Sequence, residues 1–408
     1  MNIIHISDGY KKIPIRGAIS SESHGSVESV IFNISEKMAG LGHNVTILER
    51  HVEGEVGEEY FEKVRIVRID NTRAIMRKHC SLTPRSRVLS SVLEFLDGLM
   101  FSLKAYKFLR CQDIVHVHLP FSAVFLSLNS KVRERMIYTL HGEGLLNVNY
   151  PPYIRPFWQY FMLRFVKRLK KVVVLSDITK SELTDHGVKP EKISIIPLGV
   201  DLERFSPDVD LGDIRSKYGL QGKAVVLFVG AIAPRKGVEY LIKAANIVVK
   251  ELNGKDVLFL LVGSKKRKEY ERKISSMVNA LKLENNVRMV GFVPPEDLRK
   301  LYAASDVFAL PSIEGEGFGL VVTEAMSCGK PIIGTKVGGI TIQIKDGWNG
   351  FLIDPAKEKQ LAEKIICLMK NPDLRKRMGL NSRKLAEQEF DYRIITQNYI
   401  RIYKELEN

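Results

Sequence analysis

Cysteine is scarce in this chain: four in 408 residues, at Cys80, Cys111, Cys328 and Cys367, with no C-x-x-C pair. That pattern excludes a disulfide scaffold and a cysteine zinc knot, and it fits a reduced compartment. Long apolar runs are also missing, and none approaches the ~20 residues needed to cross a bilayer. The opening residues MNIIHIS lack the basic start and apolar core of a signal peptide and read as a first strand. The expected location is therefore cytoplasmic, without integration into a membrane. No low-complexity tract or short-period repeat interrupts the chain. A G-x-G-x-x-G turn is absent from the N-terminal loop, which disfavours a nicotinamide dehydrogenase.

Apolar residues, by contrast, are plentiful at 45%. The length suits two domains of roughly 200 residues each. The net charge of +15 is unevenly placed: residues 72–171 carry 17 Lys and Arg against five Asp and Glu. Such a segment suits an anionic surface or simply solubility, and no nucleic-acid-binding module accompanies it.

Short β-rich runs alternate with helical stretches, which predicts parallel α/β sheets. In the first half the expected strands are 2–7, 44–49, 64–69, 113–118, 136–140, 171–175 and 193–196. Residues 27–41 keep helical apolar spacing, and Gly42 follows as a C-cap. A second series begins at Ala224 with AVVLFVG and continues through DVLFLLVG, NVRMVGF, DVFALPS and KPIIGT. Residues 205–222, rich in Gly, Asp and Pro, read as the interdomain linker. This gives an N-terminal domain over 1–204 and a C-terminal domain over 223–385. A last helix at about 386–408 could pack back on the first domain. The expected fold is two Rossmann-like doubly wound domains facing across a cleft, with ligands at the carboxyl ends of the strands.

The strongest chemical signal is PSIEGEGFGLVVTEAMSCGKP, residues 311–331, directly after a strand. Gly315, Gly317 and Gly319 allow close backbone approach, and the following helix would point its free N–H groups at a phosphate. Glu316 and Glu324 frame that helix start. If the eight residue steps from Glu316 to Glu324 were fully helical they would span about 12 Å, the scale of a sugar-to-ribose separation. In FVGAIAPRKGVEYL, Arg235 and Lys236 open a helix. Cations there oppose the dipole, and a bound anion would compensate them. His141 ends the strand MIYTL, where it could meet a sugar hydroxyl. His116 and His118 share a strand face and read as buried strand histidines. With no third ligand at zinc spacing, no metal site is expected. The loop 8–26 holds Arg16-Gly17-Ala18 and Gly25-Ser26 as a substrate-approach segment.

At these residues the chain resembles the retaining GT-B glycosyltransferases called glycosyl transferases group 1. Glu316 and Glu324 match that family's E-x7-E motif, and Gly230 with Lys236-Gly237 match its VG-x5-KG segment. IIPLGVDLERFSP, GFVPPEDLRKLYAASDVFALPS, GHNVTIL and LHGEG match further landmarks, almost from end to end. The resemblance implies a hexosyltransferase using a UDP- or GDP-sugar, with no bound metal and no other cofactor. It implies Glu316 on the hydroxyls of the transferred sugar, Glu324 on the ribose, and Arg235 and Lys236 on the diphosphate. Gly291 and Phe292 would border the base, and Gly230, Gly317, Phe318, Gly319, Leu320, Gly338 and Gly339 would line the donor. His141 would contact the sugar, and Gly17 or Gly25 would approach the donor from the N-terminal loop. Retention is pictured as front-face displacement, the leaving phosphate helping to deprotonate the acceptor. The chain departs from the family at Ala231, where Arg is frequent, and at Leu198 and Ile342.

Residues 151–171 mix six basic residues with aromatics and no acidic residue. Together with the basic segment 72–110 they suggest peripheral contact with an anionic membrane face and a lipid-linked acceptor. The competing reading packs the apolar side of 157–169 into the core. A polysaccharide or small-molecule acceptor is equally compatible. Two alternatives differ in class: a nucleotide-sugar epimerase, and a degenerate family member with a structural or coat role.

Overall fold

The computed structural model describes residues 1–7, 26–50, 57–69, 87–142, 155–254, 256–264 and 268–407. The chain forms two compact units: Met1–Leu198 with Tyr392–Asn408, and Gly199–Asp391.

The first unit is built on eight strands: β1 (Asn2–Ser7), β2 (Asn44–Arg50), β3 (Gly57–Phe61), β4 (Val64–Ile69), β5 (Ile114–Val117), β6 (Met136–Leu140), β7 (Lys171–Val174) and β8 (Ile193–Ile195). They lie in the order β3-β4-β2-β1-β5-β6-β7-β8, so the sheet reverses its winding between β1 and β5. All pairs are parallel except β3 with β4. Central strands such as β1 and β5 are buried almost throughout because helices cover both faces. Strand β3 is absent from the sequence expectation. Its residues GEEYF are half exposed, and charge holds it to the edge: the Arg65 guanidinium donates to Glu58 at 3.0 and 2.6 Å, and Arg68 pairs with Glu59. The first helix, Ser26–Gly40, ends before Gly42, whose φ of +87° is left-handed.

The helix Arg155–Arg168 decides between the two readings of its apolar side. Trp158, Met162, Phe165 and Val166 are buried in the core of this unit, and Phe165 meets Tyr138 edge-on at 5.4 Å. Arg155, Arg164, Lys167 and Arg168 are exposed on the outside. The alternation of basic and aromatic residues is thus explained by core packing. Residues 72–86 and 151–154 lie outside the described part of the chain. Among the described residues, no helix is long and apolar enough to cross a membrane.

The second unit is a six-stranded parallel sheet: β9 (Ala224–Val229), β10 (Val257–Val262), β11 (Val287–Gly291), β12 (Val307–Leu310), β13 (Ile332–Thr335) and β14 (Gly350–Ile353). The order is β11-β10-β9-β12-β13-β14, which reverses between β9 and β12. Strand β14 escapes the sequence reading because its four residues, GFLI, are too short a run to show a period.

Residues 205–222 are not a free linker. Ile214 and Leu220 are buried, and the Arg215 guanidinium donates to the carbonyls of Ala304 and Leu220, both at 2.9 Å. Their Gly, Asp and Pro content makes turns packed on the second unit. The chain instead passes between units at Leu198–Gly199 and returns at Asp391–Tyr392. The closing helix runs Tyr392–Glu407, and residues 386–390 form a π-helical turn that belongs to the second unit. Tyr399 and Tyr403 anchor this helix in the first unit. Their phenol oxygens lie 3.4 Å from Thr139 Oγ1 and 2.6 Å from His116 Nδ1.

Replacing Tyr403 by Phe removes the hydrogen-bond partner that His116 Nδ1 has among the described residues. The expected loss is about 1–3 kcal/mol, against less than about 0.5 kcal/mol for Tyr160→Phe on the surface. Denaturant unfolding of the two variants measures the difference.

Candidate active site

In the second unit the loops after β9 and β12 meet at the winding reversal, the place where open α/β sheets bind ligands. The turn Pro234–Lys236 follows β9, and Gly237 closes it with φ +67°. A Cβ on Gly237 would stand 1.8 Å from the Pro311 carbonyl oxygen, so only glycine lets this turn sit against the end of β12. The Ile313 amide donates to the Arg235 carbonyl at 2.8 Å, joining the two loops.

This contact brings Lys236 to Glu316, although they are far apart in sequence. Lys236 Nζ donates to Glu316 Oε2, and both residues are buried. Ser312 Oγ donates to the same carboxylate oxygen at 3.0 Å. The Glu316 carbonyl accepts the Gly339 amide at 3.0 Å. A Cβ on Gly339 would stand 2.6 Å from Phe318 Cα. Gly339 therefore lies against the 317–318 backbone. Gly319, left-handed at φ +88°, starts the helix Leu320–Ser327 without a side-chain cap. A Cβ on Gly319 would lie 3.6 Å from Glu316 Cγ, so the Glu316 side chain runs directly beside the helix start. The positive end of that helix and a buried ammonium thus flank one carboxylate.

Other expected residues take different places. Arg235 is exposed and donates to the Gly315 carbonyl at 2.8 Å. Phe318 is buried and meets Phe390 edge-on, so its ring belongs to the core and only its backbone borders the site. Its carbonyl accepts from Gln343 Nε2 at 2.6 Å. Gly230 and Gly291 knit the strand ends. The Gly230 amide donates to Val262, and the Gly291 carbonyl accepts from the Gly263 amide at 2.7 Å. Phe292 is exposed, Gly338 has φ +49°, and Leu320 is the first helical residue. Gly17 and Gly25 fall outside the described residues.

The segment from Glu316 to Glu324 is not continuous helix, since the left-handed Gly319 interrupts it. The span of a fully helical octamer therefore does not apply. Glu324 is partly buried within the helix and accepts from the Tyr302 hydroxyl at 2.7 Å. Burial pushes its carboxyl up to about 7, against the hydrogen bond from Tyr302 and the charge of Arg204. Ser312 and Tyr302 are partners that sequence reasoning missed. Each is adjacent to a motif residue in space, and neither has a chemical signature of its own.

In the first unit, the strands β1, β5 and β6 bring four histidines together. His5 and His116 are register partners on β1 and β5. His118 Nε2 lies 3.0 Å from His5 Nδ1, and His118 Nδ1 lies 2.9 Å from His141 Nε2. The absence of a third ligand, which argued against a metal, does not hold: β1 supplies His5, and His5, His116 and His118 have ligand atoms within 4.8 Å of one another. Their bonding nevertheless differs from a ligand set. His116 uses both ring nitrogens, on Tyr403 and on Thr139 Oγ1 at 2.7 Å, and His118 uses both on histidines.

Two family models cover most of the chain: glycosyl transferases group 1 over residues 212–385 and glycosyltransferase family 4 over residues 27–204. The chain belongs to the group 1 glycosyltransferase family. Its fold is GT-B, as in sucrose-phosphate synthase from Thermosynechococcus elongatus, with a TM-score of 0.77 at 24% identity over 99% of this chain and 98% of that one. A HepE structure from Anabaena in complex with UDP has the same TM-score at 21% identity, covering 99% and 100%. Among curated relatives, spore coat protein SA of Bacillus subtilis is 31% identical over 59% of this chain and 66% of its own length. A D-inositol 3-phosphate glycosyltransferase of Segniliparus rotundus is 33% identical over 53% of this chain and 48% of its own. The chain thus spans about half to two thirds of the length of these two relatives. A glycosyltransferase of Methanocaldococcus jannaschii is 29% identical over 77% of this chain and 83% of its own length.

Two measurements test the site geometry. Lys236→Ala leaves the buried Glu316 carboxylate without its cation and should cost about 3–5 kcal/mol, whereas the double change Lys236→Met with Glu316→Gln should cost far less. A double-mutant cycle by denaturant unfolding reads the difference. For Glu324, the folded carboxyl titrates above its ordinary value of 4.5, so the native state binds the extra proton. Stability should therefore fall as pH rises from about 4.5 to about 7. That slope should flatten in Glu324→Gln, measured as the unfolding midpoint against pH.

Proposed function

We propose that this protein is a retaining glycosyltransferase that moves a hexose from a UDP- or GDP-sugar to an acceptor. The observation that carries this reading is the buried Lys236–Glu316–Ser312 cluster beside the start of the Leu320–Ser327 helix. An ammonium and a helix N-terminus are the groups a diphosphate recruits. A carboxylate beside them is the group that sugar hydroxyls recruit. Here the two neutralise each other. A bound donor would take Lys236 onto its diphosphate and leave Glu316 to the sugar.

In this reading Lys236, with Arg235 turning from the Gly315 carbonyl, stabilises the charge that develops on the departing phosphate. This supply of positive charge supports a metal-independent reaction. Glu324, held by Tyr302, accepts from the ribose hydroxyls, and the glycines at 317, 319, 338 and 339 let the backbone reach the donor. His141 contacts the transferred sugar. The solved HepE structure with UDP and the D-inositol 3-phosphate glycosyltransferase relatives support a nucleotide-sugar donor. The intact cluster favours turnover over the coat-like role that the name of one relative brings to mind. The acceptor side is open to a lipid-linked, polysaccharide or small-molecule substrate. The exposed cations of the Arg155–Arg168 helix would support peripheral attraction to anionic lipid.

A thermal-shift panel of UDP, GDP, ADP and their sugar conjugates should give a shift with one base. A ligand at about 100 times its dissociation constant adds roughly 2.7 kcal/mol. Glu316→Gln should keep the nucleotide shift and lose about 100-fold or more in kcat. A well-folded wild type that answers to no nucleotide would defeat the proposal.

A further inference from the structure

The four clustered histidines of the first unit, His5, His116, His118 and His141, are more than core filling. His5, His118 and His141 form one hydrogen-bonded row, ring to ring, from the interior of β1 to the residue just past β6. The two ends of the row, His5 Nε2 and His141 Nδ1, are buried atoms without a partner among the described residues. His116 lies beside the row but outside it, satisfied by Tyr403 and Thr139. Burial lowers all four imidazoles, His5 to about 3 and His141 to about 4, so at neutral pH every ring carries a single proton.

A row of neutral imidazoles has only two self-consistent arrangements. Each shared N···N contact needs one N–H and one lone pair. Choosing the proton of one ring therefore chooses the protons of all three. In one arrangement the unpaired N–H is left at His5, which is completely enclosed. In the other, His5 keeps a bare lone pair in the core and the unpaired N–H appears on His141 Nδ1. Each arrangement leaves one N–H and one lone pair without a partner among the described residues, so the choice turns on where the N–H falls. Of the three rings only His141 is partly exposed, so an N–H there lies nearest the surface even though Nδ1 itself is covered, whereas His5 is enclosed on all sides. The second arrangement is the cheaper one: His5 Nδ1–H donates to His118 Nε2, His118 Nδ1–H donates to His141 Nε2, and His141 keeps Nδ1–H.

We propose that His5 and His118 are positioning residues that lock His141 as the Nδ1–H tautomer, so that it presents a hydrogen-bond donor to an oxygen of the transferred sugar. The donor role rests on His141 being a sugar contact, as proposed above; the tautomer lock does not. No proton is consumed and no charge moves. The row selects which nitrogen carries the proton and holds the ring in place, as outer hydrogen bonds do for catalytic and metal-bound histidines.

The test is histidine-selective 15N labelling of the intact, ligand-free chain, with the imidazole signals assigned by single substitutions. The expected result is an Nδ1–H tautomer for His5, His118 and His141 together. His5→Leu removes the first donor and should leave His141 as a mixture of tautomers. His5→Asn, whose amide N–H replaces Nδ1–H, should restore the single form. In turnover, His5→Leu should lower kcat/KM about tenfold, the worth of one oriented hydrogen bond, and His5→Asn should recover most of it. A wild-type row protonated the other way, with Nε2–H on His141, overturns the proposal whatever the activity. So does one equivalent of metal that co-purifies with wild type and is lost in His5→Leu, since the row would then be a ligand set. If the tautomers are as expected and His141→Ala remains fully active, the sugar-contact reading of His141 is what fails.

Discussion

The second unit depends on one buried ion pair. Lys236 and Glu316 are 7% exposed each, in a setting where an unpaired charge would cost several kcal/mol. The pair is made possible by backbone, not by side-chain choice. The turn after β9 can reach the end of β12 only because Gly237 has no Cβ to strike the Pro311 carbonyl. The two loops are then stitched by the Ile313 amide, and Gly339 closes against the 317–318 backbone from the other side. These glycine approaches and the single ion pair define one object. Its two charges match each other, and each has a chemical counterpart in a nucleotide sugar. A buried pair is a weak source of net stability compared with an apolar pair of similar size. Its presence at a winding reversal is better explained by what it could exchange with a ligand.

Much of the fold was legible in the sequence because parallel strands enclosed on both faces read as continuous apolar runs. AVVLFV, VLFLLV and MIYTL are examples, and their boundaries fall within a residue or two of those observed. What was not legible has physical reasons. Strand β3 is held by cross-strand Arg–Glu pairs and has no apolar face to detect. Residues 205–222 have the composition of a linker, yet Arg215 ties them down through backbone carbonyls, which no side-chain pattern reveals. The basic and aromatic helix at 155–168 was legible as amphipathic, but periodicity alone cannot say whether core or membrane receives the apolar side.

The candidate site divides in the same way. Glycines and charged residues close to one another in sequence, such as Glu316 with Gly317 and Gly319, were found by motif. Their pairings were not, because contact between Lys236 and Glu316 or between Tyr302 and Glu324 is created by the fold. The histidines illustrate this most clearly. Read along the chain, His116 and His118 are two strand residues and His5 is an isolated one. Only the parallel pairing of β1 with β5 puts His5 against His118 and completes a row.

The two units solve a common problem with different chemistry. Each sheet reverses its winding between the first strand and its later neighbour, β1 with β5 and β9 with β12, and each carries its buried polar cluster there. At such a reversal the helices on either side lead away from each other, so the carboxyl ends of the two strands are not covered by a crossover. Polar groups placed there can be enclosed at their base and still open at their tip. The second unit fills the position with opposite charges, suited to an anion and to hydroxyls. The first unit uses neutral imidazoles, which carry no charge to desolvate and still offer a directed donor. A charge at the β1–β5 reversal would need a counter-charge, and none of the ring–ring bonds supplies one; burial accordingly holds all four rings neutral. The choice of histidine over a charged residue follows from how deeply the row starts inside β1.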